Sequence, residues 1–140
     1  MTDQAYYVQK AVYERLVATP ALVDLVPVAN IVDDLGGLPT VFPGIILGEG
    51  QIVDEGQRID RSVKRVYLTC HLWTAEPRLN EVKKIGGAFA AAIETSTNGG
   101  SLGGGFYLGD LRIRDVRYIR DPSGQNGHGV VTVDTLVGRA

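Results

Sequence analysis

The ten residues Arg65-Val66-Tyr67-Leu68-Thr69-Cys70-His71-Leu72-Trp73-Thr74 constrain the fold more than any other stretch. They alternate with period two. Val66, Leu68, Cys70 and Leu72 fall on one side, and Tyr67, Thr69, His71 and Trp73 on the other. Side chains on a strand point alternately to opposite faces, so the pattern predicts a strand with one apolar face. The second face carries two large aromatics and a histidine, which predicts that it is covered too, by this chain or by another subunit. A central strand of this kind needs a sheet around it and a layer packed on its apolar side.

The neighbouring patterns supply both. Residues 4–18 read as a helix, because Ala5, Val8, Val12 and Leu16 recur at spacings of three and four. Asp3 or Thr2 can cap its first amides. Thr19-Pro20 opens a short second helix, and Pro27 ends it. Residues 77–96 read as the second long helix, with Pro77 in its first turn and Leu79, Val82, Ile85, Phe89 and Ile93 as its buried stripe. Gly86-Gly87 inside it costs about 1 kcal/mol per residue relative to Ala. The pair therefore predicts a bend or a close approach to the sheet.

Extended segments are expected at 30–33, 45–52, 65–74, 111–120 and 129–137. Between them, Ser101 to Gly105 reads as a glycine loop; no Lys-Ser/Thr follows it, so it is not a phosphate cradle. In 111–120, Leu111 and Ile113 alternate, then Val116 and Tyr118 continue one residue out of step. One extra residue near Asp115 restores the phase, which predicts a β-bulge. Asp121-Pro122-Ser123-Gly124 predicts a tight turn. The fold class is α+β: one domain over 1–140, a mixed or antiparallel sheet of four or five strands with hairpins over 45–74 and 106–137, and two main helices on one face.

Charge marks the candidate contact surface. The connection from Val53 to Lys64 is longer than a tight hairpin loop and carries Asp54, Glu55, Arg58, Asp60, Arg61 and Lys64. It reads either as a solvated loop or as an arm that orders against a neighbour. Arg112, Arg114, Arg117 and Arg120 read either as a solvated face or as an electrostatic contact to an acidic neighbour. With Tyr67 and Trp73 from the second face of the central strand, the candidate interface is Asp54, Glu55, Arg58, Arg61, Lys64, Tyr67, Trp73, Arg112, Arg114 and Arg117.

Catalytic chemistry has no visible constellation. Cys70 and His71 are neighbours on a strand, so their side chains diverge and cannot act as a nucleophile and its base. His128 sits in a Gly-rich turn and is expected to be exposed. Two histidines and one cysteine are too few for a protein-only zinc site of the usual kind. No catalytic, cofactor or metal residue is assigned. The net charge of −2 argues against general binding to nucleic acid. No apolar run approaches the ~20 residues that span a bilayer, and the first residues lack the pattern of a signal peptide. A folded, reduced, intracellularly made protein is the expectation.

The segments in order are the Gln4–Ala18 helix, Thr19-Pro20-Ala21-Leu22, and the Phe42-Pro43 turn with its Gly48-Glu49 strand. The strand ending His71-Leu72-Trp73 and an Ala-rich helix follow. Arg120-Asp121-Pro122-Ser123-Gly124 and His128-Gly129-Val130-Val131 close the chain. This order and spacing resembles the tail-terminator or tail-completion proteins of long-tailed bacteriophages and gene transfer agents, formerly a domain of unknown function. The resemblance implies a non-enzymatic structural protein of the virion, assembled in the bacterial host cytoplasm. It implies a hexameric ring at the head-proximal end of the tail tube, one that stops tube polymerisation and joins the tail to the head. The implied partners are further copies of the chain, the tail tube protein and the head–tail connector or stopper protein. Neither a cofactor, a membrane nor a sequence-specific nucleic acid is implied, although DNA is able to pass through the ring. Two alternatives stand beside it: a head-completion or neck connector protein, and a small-molecule-binding domain with a pocket between helix 77–96 and the sheet.

Overall fold

A computed structural model describes residues 3–33, 41–55, 62–94 and 100–139. In chain order it contains α1 (Gln4–Val17), α2 (Pro20–Val23), a single 3-10 turn (Val28–Asn30), β1 (Ile31–Asp33), β2 (Gly44–Asp54) and β3 (Val63–Thr74). Then come α3 (Leu79–Ile93), β4 (Ser101–Gly103), β5 (Phe106–Leu108), β6 (Arg112–Arg120) and β7 (Gly127–Arg139). The α+β class holds. The sheet, however, has seven strands among the described residues, where four or five were expected.

The additional strands are β4, within the glycine loop, and β5, just after it. Ser101–Gly103 pairs with Phe106–Leu108 as a small hairpin, and β5 then joins the outer edge of β7. The sheet runs β1-β2-β3-β7-β5-β4, with β6 also alongside β7. It is mixed: β1 and β2 are parallel, and every other pairing is antiparallel. The 13-residue β7 organises it. One edge of β7 carries all of β3. Its other edge is divided, Gly127 to Asp134 pairing with β6 and Val137 to Arg139 with β5.

The predicted bulge is present. Ile113 pairs with Val133 and Asp115 with Thr132, so Arg114 is the extra residue. The insertion keeps Ile113, Val116 and Tyr118 on the core face. It also turns Arg112, Asp115 and Arg117 to the opposite face, because side chains alternate on either side of the bulge.

The core lies between one face of the sheet and the helices. Val8, Val12 and Leu16 of α1 and Val82, Ile85, Phe89 and Ile93 of α3 meet Val66, Leu68, Cys70 and Leu72 of β3 and Val131, Val133 and Val137 of β7. Each such aliphatic side chain contributes about 1.5–3 kcal/mol when fully buried. Asp3 caps α1, its side chain accepting from the Tyr6 amide. The Arg15 guanidinium donates to the Ile93 carbonyl at 2.6 Å, which ties α1 to the C-terminal end of α3, where helix carbonyls lack internal partners. Helix α3 begins two residues later than expected: Arg78 is its N-cap, and Pro77 precedes it.

The Gly86-Gly87 pair divides into two roles. A Cβ at Gly86 would collide with the Tyr118 hydroxyl, whereas at Gly87 nothing lies within 4 Å. The close approach is thus to one side chain of β6, and only Gly86 serves it.

Candidate functional site

The helices cover one face of the sheet, and the functional candidates gather on the other. Across the strands, Tyr67 of β3, Asp134 of β7 and Arg112 of β6 stand in one row. Thr69, Thr132 and Asp115 make the next, and Trp73, His128 and Ile119 a third. A cavity of ≈ 490 Å³ opens on this face, lined by Glu49, Gln51, Tyr67, Thr69, Arg114 and Thr132 among others. Its lining is polar and charged.

Asp134 anchors the upper row. It is 1% exposed, and its Oδ1 accepts from Arg112 Nε at 2.9 Å and from Arg65 Nη1 at 3.0 Å. Arg65 Nε in turn donates to Glu55 at 2.7 Å, and these contacts hold the Arg65 guanidinium more firmly protonated than usual, the Glu55 hydrogen bond contributing most. A buried carboxylate needs such donors, since an uncompensated charge out of water is costly. The result is a chain of alternating charge, Glu55–Arg65–Asp134–Arg112, across three strand segments and the start of the β2–β3 connection.

The lower row is aromatic. The His128 ring stacks on Trp73 at 3.8 Å between centroids and 8° between planes. His71 Nδ1 and His128 Nε2 lie 3.0 Å apart, and His71 Nε2 is 3.4 Å from Glu49 Oε2. A Cβ at Gly48 would meet the Thr69 carbonyl at 3.0 Å and the His71 ring at 3.3 Å, so the backbone of β2 closes directly on that imidazole. His128 is 8% exposed, which corrects its expected exposure: residues 127 and 128 continue β7 and pair with β3, with Trp73 as the direct partner. Burial, then the neighbouring His71, lowers its affinity for a proton.

The sequence-expected interface residues divide by environment. Lys64 and Asp54 face each other at 3.9 Å where β2 and β3 meet their connection, and Glu55 is engaged by Arg65. Arg58 and Arg61 lie outside the described residues. Tyr67 is half-buried, with the Arg114 guanidinium 5.1 Å from its ring centroid. Trp73 is buried under His128, so its cover comes from the chain's own β7. Arg112 is committed to Asp134. Arg114 and Arg117 are exposed. Asp134, Arg65, His71, His128 and Glu49 were not among the expected site residues. For Asp134 a signal existed, a carboxylate inside the β-branched run Val133-Asp134-Thr135.

As expected, Cys70 and His71 point to opposite faces; Cys70 is fully buried and its thiol is pushed well above its ordinary pKa by desolvation. A buried neutral thiol of this kind is inert. Among the described residues no three His, Cys, Asp or Glu side chains converge as a metal cluster. No helix among them is long and apolar enough to cross a membrane.

No curated protein matches the chain. Its fold is similar to a chain in the solved structure described as the virion of a native gene transfer agent particle, with a TM-score of 0.76 at 16% identity, covering 98% of this chain and 99% of that one. The family model for tail completion protein gp17 matches residues 10–138. Nearly the whole sheet, α2, α3 and the second half of α1 thus lie within the match, and the chain belongs to the tail completion protein gp17 family.

Proposed function

We propose that this tail structural protein closes the head-proximal end of the tail tube as a ring of copies, ends tube polymerisation and joins the tail to the head. The observation that carries the reading is the family match over residues 10–138. The division of the sheet supports it. One face is spent on the core, while the other bears charge and open polar surface with no nucleophile–base pair among the described residues. A protein that must hold several neighbours has use for such a face.

The contact residues in this reading are Asp54, Glu55, Arg58, Arg61, Lys64, Tyr67, Trp73, Arg112, Arg114 and Arg117. Those already engaged within the chain, among them Glu55, Trp73 and Arg112, shape the face, and exposed Arg114 and Arg117 reach the neighbour. The small-molecule alternative is not favoured. Between α3 and the sheet, Val82, Ile85 and Phe89 are buried and Tyr118 fills the slot beside Gly86.

Electron microscopy of particles produced without the protein tests the role. The expected outcome is DNA-filled heads beside unattached tails of uncontrolled length. Tails of normal length would reject termination and move the protein to head completion.

A further inference from the structure

We propose that each copy of the chain lays the free edge of its β1 against the free edge of β6 in the next copy, so that the sheet continues from subunit to subunit. This pairing rests on the ring reading and names the two surfaces that build the ring.

The sheet is open at both sides. Among the described residues β1 pairs only with β2, and β6 only with β7. The outer edge of each strand presents backbone N–H and C=O groups without ladder partners, a template for a strand from another chain. The nine residues of β6 span about 30 Å, and every one of them is exposed or half-buried. Neither strand contains a proline that would blunt its edge.

Charge selects which edges can meet. Arg112 is held by Asp134, but Arg114, Arg117 and Arg120 are exposed. Two β6 edges laid together would set arginine against arginine, and like charges facing each other across strands are unfavourable. β1 ends on the exposed Asp33, of the opposite sign. Apolar surface is exposed at both edges too, Val28 just before β1 and Ile119 on β6. The pairing is thus heterologous, β1 to β6. A contact that uses a different surface on each copy generates a ring when its rotation closes.

The pleat fixes which side chains meet. Val32 is in register with Ile46, and through it with His71, so it lies on the face that the helices leave open. Asp115, Arg117 and Ile119 lie on that same face of β6, opposite Thr132, Val130 and His128. In a continued sheet Val32 of one copy stands beside these residues of the next. Strand direction agrees. β1 and β6 run in opposite directions along the sheet. Rotation about an axis along the strands therefore brings β1 of one copy antiparallel to β6 of the next, the arrangement with the straighter hydrogen bonds.

Cysteine cross-linking tests the pairing. The native Cys70 is fully buried, and paired strands bring Cα atoms within the ~4.4–6.8 Å that a disulfide spans. Val32→Cys is combined in one full-length chain with Asp115→Cys, Arg117→Cys or Ile119→Cys in turn. Each double variant is oxidised after assembly, in solution and on purified particles, and run on a denaturing gel without reductant. At least one is expected to give a ladder of covalent oligomers up to the ring size. A mixture of the two matching single variants is expected to stop at dimers, because each copy then has one reactive edge. Thermal melts of the reduced variants that match wild type show that the fold is kept. Assembly at wild-type size by sedimentation, with no cross-link in any double variant, would overturn the edge pairing and leave the ring standing. Efficient dimers from any single variant alone would overturn it as well, by showing that like edges meet. A chain that neither assembles nor cross-links, in solution and on particles, would overturn the ring and this pairing together.

Discussion

At the scale of single residues, neighbouring positions of the same amino acid have opposite meanings. Gly86 and Gly87 both weaken a helix relative to Ala by about 1 kcal/mol. Gly87 faces open space, so Gly87→Ala should raise stability by about that amount, read as a shift of the urea midpoint. At Gly86 the added methyl would collide with Tyr118, a stiff ring that also lies 3.3 Å from the Cβ position of Gly129. Overpacking of this kind costs about 1–3 kcal/mol, more than the helix gains, so Gly86→Ala should lower stability. Equal midpoints for the two variants would refute the slot. Asp134 gives a second residue-scale expectation. Asp134→Asn removes the charge from two charge-assisted hydrogen bonds. Its partners Arg65 and Arg112 keep 20% and 56% side-chain exposure, so they can be rehydrated. The loss should be about 1–3 kcal/mol, below the cost of stranding a fully buried charge. A midpoint unchanged from wild type would mean that the carboxylate is not holding the row together.

At the scale of elements, β3 is the strand on which both faces depend. Leu68 and Leu72 are 3% and 0% exposed on its core side. Replacing either by Ala should cost about 2–5 kcal/mol, because removal of buried methyl groups leaves a cavity that the neighbours fill only in part. Chemical denaturation of each variant measures this, and a loss below 1 kcal/mol at both would place the core elsewhere. This strand was legible from period-two alternation alone, and so was the bulge in β6, because a phase slip between two apolar pairs is written in the residues themselves. The β4–β5 hairpin was not. Strands of three residues, one of them glycine-rich, carry no alternation to read. Nor was the polar face legible. Asp134 finds its arginines 22 and 69 positions away, and His128 is buried only because β7 extends two residues further and lays it on Trp73. Local composition marks His128 as turn and Asp134 only as a charge within a strand, and long-range register alone supplies the partners of both.

At the scale of the whole molecule, the sheet is asymmetric, with helices on one side and an ionic, aromatic face on the other. The arginines on that face do different work. Arg112 is bound to Asp134, so its charge reversal would disturb the fold and the surface together. Arg117 is exposed on β6, opposite Val130, and its replacement should leave the monomer nearly intact. If this face meets a neighbouring copy or the tube, Arg117→Glu should change thermal stability by no more than about 0.5 kcal/mol while weakening assembly. Wild-type association should also loosen as salt rises, because exposed charges separated by more than about 8–10 Å are screened at physiological ionic strength. Sedimentation of wild type and Arg117→Glu at low and high salt, with thermal melts of both, tests the two halves together. A variant that melts like wild type but assembles less well, with the difference shrinking at high salt, places the contact on the charged face. Unchanged assembly with an unchanged melt would remove Arg117 from the interface and leave the edge strands β1 and β4 as the next surfaces to test.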